Sequence, residues 1–105
     1  MIRGDICYHT FKFPDKRRPV LILTRDILIQ ELNALTIAPL ATTVRNESTQ
    51  VLLDESDGVP KVCAVNLTNI QTVPKEKIGG CRTHLSDEKM QEVFEAIRFA
   101  FGFDK

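Results

Sequence analysis

Arg17-Arg18-Pro19-Val20-Leu21-Ile22-Leu23-Thr24 sets two guanidinium groups before a proline, and the proline before four aliphatic residues. An unbroken run of Val, Leu, Ile and Leu reads as a strand buried on both faces, since a half-exposed strand would alternate. Pro19 suits the first residue of such a strand, where a missing N–H is tolerated. Arg18 is thus predicted where a rigid central strand leaves a polar loop. A cation anchored by the core behind it makes a good phosphate site.

Upstream, Gly4-Asp5 is a turn pair, and residues 6–13 are rich in strand formers. Pro14-Asp15-Lys16 provides a tight connection, so these two strands are expected to form a hairpin. Downstream, residues 25–33 read as a short helix or an irregular excursion, with Thr24 or Asp26 as its cap. Residues 35–40 form another strand, in which Pro39 signals an edge or a bulge. Residues 49–53 are a strand stopped by the turn Asp54-Glu55-Ser56-Asp57-Gly58, and residues 61–66 are strand-like again. Residues 71–74 and 77–78 are expected as short pieces ending at Gly79-Gly80.

The last element is a helix. Ser86 is its N-cap, Asp87 and Glu88 complement the dipole, and Leu85 and Met90 have hydrophobic-staple spacing. Met90, Val93, Phe94, Ile97 and Phe101 fall on one face, read as core, and Gly102 supplies the stop. Short strands, tight turns and one terminal helix predict a small, curved, mainly β (α+β) domain with its sheet or barrel packed on that helix.

The chain has 105 residues, 43% hydrophobic and 27% charged, as one soluble domain would. No apolar run approaches the ~20 residues of a membrane span, and Met1-Ile2-Arg3-Gly4-Asp5 lacks a signal peptide's apolar stretch, so a cytoplasmic location is expected. Cys7, Cys63 and Cys81 are odd in number and scattered, arguing against a disulfide framework and a zinc site; they are expected to be free, buried or partly buried thiols. With only His9 and His84 beside them, no metal cluster is expected. The 14 basic and 14 acidic residues cancel, but residues 1–45 hold seven Lys/Arg against four Asp/Glu. The surplus surrounds Arg17 and Arg18 and permits an anionic partner such as RNA.

No nucleophile elbow, P-loop, Rossmann glycine pattern or HExxH is present. What remains is the arginine pair, Thr42-Thr43, Lys16 and Arg45. Arginine binds phosphate through parallel charge-assisted hydrogen bonds, and threonine donates to a phosphate oxygen. RNA brings its own nucleophile, the 2′-hydroxyl, so such a site needs neither metal nor triad. Spacing alone favours a solvated arginine pair and a plain threonine turn over catalytic groups.

Gly4-Asp5-Ile6, the Arg18 to Thr24 stretch, Ala38-Pro39-Leu40-x-Thr42-Thr43-Val44-Arg45, Asp57-Gly58 and Val65-Asn66-Leu67-Thr68-Asn69-Ile70-Gln71-Thr72-Val73 occur in an order that resembles the MazF/PemK family of toxin endoribonucleases. The resemblance covers nearly the whole chain. It implies an SH3-like small β barrel of the CcdB/MazF type with a C-terminal α-helix, acting as a homodimer. It further implies the toxin of a type II toxin–antitoxin system that cleaves single-stranded RNA at short sequences without a metal or other cofactor. The products would be 2′,3′-cyclic phosphate and 5′-hydroxyl ends, and a MazE-like antitoxin would lie across the RNA site. Arg18 matches the family's catalytic arginine. Ala41 stands where the family usually has a hydroxyl residue, so Thr42 or Thr43 would serve instead. Lys16, Arg17, Arg45, His9 and Asn69 are the expected RNA contacts, the basic ones positioning the backbone. The loop from Lys12 to Arg17 is shorter than in many members, so a cleavage motif does not carry over. The alternatives are a CcdB-like toxin that blocks a protein such as gyrase, and an inactive family member.

Overall fold

The computed structural model describes residues 1–12 and 16–103. In chain order it contains β1 (Asp5–Thr10), β2 (Arg17–Ile22), α1 (Asp26–Ile29), β3 (Ala34–Ala41), β4 (Gln50–Leu53), β5 (Cys63–Asn66), β6 (Gln71–Pro74), β7 (Ile78–His84) and α2 (Asp87–Phe101). The expected mainly β domain with a terminal helix is what forms.

The predicted central strand is there, and the reason for its unbroken apolar run is visible. Val20, Leu21 and Ile22 are all fully buried. Leu21 joins Ile6, Leu53, Val65, Leu85 and Val93 in one core, whereas Val20 and Ile22 join Cys7, Leu35, Ile37 and Val73 in a second. Successive side chains point to opposite faces, so β2 feeds both cores. The strand starts two residues earlier than expected, which makes Pro19 internal rather than first. Its partner on β1 is Tyr8, while pairing with β3 begins only at Val20. Pro19 therefore sits where the strand has a neighbour on one side only.

The strands follow the path β4-β5-β3-β2-β1-β7, and β6 pairs with β3 off that path. Among the described residues the end strands β4 and β7 do not pair, so the expected barrel does not close. The β1–β2 hairpin is antiparallel, with His9 opposite Arg18. Residues 13–15, which carry most of its predicted connection and the end of the predicted first strand, lie outside the described residues. β3 is central, not an edge: β2 flanks it on one side, and on the other β6 pairs with residues 34–37 and β5 with Leu40 and Ala41. Pro39 falls in the hand-over between β6 and β5, where the missing N–H costs no bond on that side.

Three local expectations are corrected. Neither Thr24 nor Asp26 caps α1: Thr24 Oγ1 accepts from the Thr36 N–H (2.8 Å), and an Asp26 oxygen from the Arg3 N–H (2.6 Å). β7 does not end at Gly79-Gly80 but runs through to His84, held along β1. Cys7 and Cys81 are not free thiols. They face each other across β1 and β7 and form a disulfide, leaving buried Cys63 as the free cysteine among the described residues.

The turn and the helix are as predicted. Asp54 accepts from the Ser56 N–H and Asp57 from the Asp54 N–H, closing a capping box around the 3-10 turn Glu55–Asp57. Gly58 follows at φ 92°, a left-handed conformation that favours glycine. In α2, Ser86 Oγ accepts from the Lys89 N–H (3.1 Å) and Gly102 ends the helix at φ 75°. Met90 and Val93 enter the core with Leu85, Phe94 and Ile97 pack on it, but Phe101 is exposed and Ala96 is buried in its stead.

Candidate active site

β2 carries Arg18 out of the double core to the end of the sheet, where β3 runs into residues 42–46. A hollow of about 400 Å³ forms there, and Arg18, Thr42 and Thr43 line it. The lining is also amide-rich: Asn66 at the end of β5, Asn69 in the following turn and Gln71 at the start of β6. Phe11 closes one side. The threonine loop is held by Gln50 of β4, whose Oε1 accepts from the Arg45 N–H (2.8 Å) and whose Nε2 donates to the Thr43 carbonyl (3.3 Å). Asn66 accepts from the Thr68 N–H (3.1 Å) and hydroxyl (2.7 Å), and Asn69 accepts from Gln71 Nε2 (3.3 Å). Gln71 thus braces Asn69, and Thr68 braces Asn66.

Arg18 and Thr42 also line a second hollow of about 240 Å³. Its character is opposite: Tyr8, Pro19, Val59, Pro60 and Cys63 make it apolar. Burial, and then Asp57, push the Cys63 thiol up from its ordinary pKa, so it is a poor nucleophile. Cysteine chemistry is therefore not what this site offers.

The predicted site residues divide. Arg18, Thr42, Thr43 and Asn69 come together in one hollow. Arg17 is turned away, its guanidinium 4.2 Å from the centre of the Tyr8 ring. Lys16 and Arg45 are exposed and do not line that hollow. His9 is opposite Arg18 in register but lines a neighbouring hollow. The residue is 5% exposed, both ring nitrogens lack a hydrogen-bond partner among the described residues, and burial and Lys77 hold its pKa below the ordinary value. Phe11, Asn66 and Gln71 also line the hollow and were missed by sequence reading; the signal was three amides within six residues, Asn66, Asn69 and Gln71.

Among the described residues one cluster of ligand-type atoms stands out, but its sulfurs are not thiolates. Ligand atoms of Asp5, Cys7 and Cys81 lie within 4.8 Å of one another. The two sulfurs are joined in the disulfide, and the Asp5 carboxylate contacts His84 Nδ1 (2.9 Å) and accepts from the Ile2 N–H (2.9 Å).

Residues 2–101 match the family described as PemK-like, MazF-like toxins of type II toxin–antitoxin systems. The chain belongs to that family. It is 39% identical over 90 residues to endoribonuclease MazF3 of Mycobacterium tuberculosis, covering 86% of this chain and 87% of the relative. The M. tuberculosis toxin MazF-mt6 superposes with a TM-score of 0.86 at 36% identity, over 93% of this chain and 96% of that one. A mycobacterial endoribonuclease solved with its cognate antitoxin has the same fold, with a TM-score of 0.86 at 24% identity over 97% and 95% of the two chains.

Proposed function

We propose that this toxin is a metal-independent endoribonuclease that cuts single-stranded RNA at the Arg18 hollow. The observation that carries the reading is the convergence of Arg18, Thr42 and Thr43 on one hollow that Asn66, Asn69 and Gln71 also line. The 2′-hydroxyl oxygen attacks the adjacent phosphorus, the bond to the 5′-oxygen breaks, and a 2′,3′-cyclic phosphate and a 5′-hydroxyl result. The Arg18 guanidinium neutralises the extra charge of the pentacoordinate phosphorus, and the threonine hydroxyls donate to its oxygens. The amides present both donors and acceptors, which is what reading the edges of unstacked bases requires.

The homodimer, the MazE-like antitoxin and a cytoplasmic site of action belong to the same proposal. Ile27 on α1 and Phe99, Phe101 and Phe103 at the end of α2 leave apolar surface uncovered on a single copy. Among the described residues no helix is long and apolar enough to cross a membrane.

The test is cleavage of a long unstructured RNA in EDTA, with product ends mapped. Arg18→Ala is expected to lose about 10²–10³-fold in rate, the cost of one preorganised charge-stabilising donor. Comparing Thr42→Ala with Thr43→Ala identifies the hydroxyl that stands in for Ala41. Intact RNA from a folded protein that still poisons cells would overturn the nuclease and favour a CcdB-like protein target.

A further inference from the structure

Next to the Arg18 hollow lies another of about 470 Å³, and the two share Phe11 and Gln71. His9, Lys12, Val73 and Lys77 also line it. We propose that this second hollow is a nucleotide subsite for the RNA strand beyond the cut bond, with its phosphate on Lys12 and Lys77 and its base against Phe11, Val73 and His9. The inference rests on the nuclease reading and extends it to residues outside the reaction centre.

Three observations carry it. Lys12 and Lys77 are both exposed, and both line this one hollow. Their charges suit a phosphate at an otherwise largely apolar floor. His9 is buried yet both its ring nitrogens are unpartnered among the described residues. Buried polar groups are nearly always hydrogen-bonded, so this orphan asks for a ligand. Burial and Lys77 favour the neutral ring, which offers one donor and one acceptor, the pair a base edge recognises. Finally, the Phe11 ring packs edge-on against His9 at 4.4 Å and belongs to both hollows. A base entering the second hollow displaces that ring and stacks on it, as single-stranded RNA does on aromatic platforms.

The experiment follows the mapping of a cut site and measures binding of oligonucleotides made uncleavable by a 2′-O-methyl group there. A dinucleotide spanning the cut bond is compared with versions lengthened by two nucleotides at either end. Lengthening at one end is expected to tighten wild-type binding at least about tenfold. The Lys12→Ala/Lys77→Ala variant is expected to lose that gain, and its slope of log affinity against log salt to fall by about one to two. His9→Phe keeps the ring and is expected to lose base preference at the added position only. An equal gain in wild type and double variant overturns the subsite, as does a double variant that weakens the dinucleotide to the same degree. A wild-type protein that neither binds nor cuts RNA overturns the nuclease reading instead, and the subsite with it.

Discussion

Adjacent strand residues point to opposite faces, and in β2 that separates two arginines indistinguishable by type. Arg17 lies over Tyr8, while Arg18 lines the polar hollow with the threonines. His9 shows how the same geometry sets a titration. Burial, and secondarily Lys77, favour its neutral ring, so its folded pKa is below the ordinary 6.5. As pH falls below about 6.5 the unfolded chain takes up a proton that the native protein resists. Stability is therefore fully present above that value and is lost as pH falls toward the folded pKa. Urea midpoints measured between pH 8 and pH 5 are expected to drop in this acid window, by at most about 1.4 kcal/mol per pH unit from this group. His9→Phe is expected to remove that contribution. Arg18 was readable because the apolar run behind it names the strand that fixes it. The fate of Arg17 was not, since its direction depends on the Tyr8 ring of another strand.

At the scale of elements, what could be read was local. The Asp54-to-Gly58 turn and the Ser86-to-Gly102 helix carry their own caps, so composition alone announced them. β7 was not announced. Gly79-Gly80 looks like a stop, and only pairing with β1 carries the strand on. Pro39 looked like an edge because the hand-over from β6 to β5 has no signature in neighbouring residues. The Gly58 turn is clamped from outside: Arg82 Nε donates to the Gly58 carbonyl (3.0 Å) and Thr83 Oγ1 to that of Asp57 (3.3 Å). A side chain at Gly58 would meet both its left-handed backbone and Thr83. Gly58→Ala is expected to cost about 1–3 kcal/mol from the backbone alone, more than the roughly 1 kcal/mol of Ser86→Ala, which removes one cap bond. Chemical denaturation of the two variants checks the order.

For the whole molecule, the fold class was legible from strand count and the terminal helix, whereas the disulfide was not. Three scattered cysteines give no pairing rule, and Cys7 meets Cys81 only because the last strand returns to the first. That bond spans a sequence separation of 74 and closes nearly the whole sheet into a loop. Its reduction, or Cys81→Ser at an exposed position, is expected to lower stability by about 2–4 kcal/mol. Denaturation with and without reductant measures this, with Cys63→Ala as the control for the remaining thiol. A cytoplasm that keeps thiols reduced would hold the toxin in the weaker form.

The Arg18 hollow is assembled from distant parts of the chain, and this bears on how a cell survives making it. A polypeptide leaving the ribosome displays Arg18 early, the threonines later, and the amide wall only once Gln71 has been added. A fragment from a broken message or a stalled ribosome therefore holds the arginine without the amide lining. Synthesis itself thus delays completion of the hollow until that last lining residue is in place.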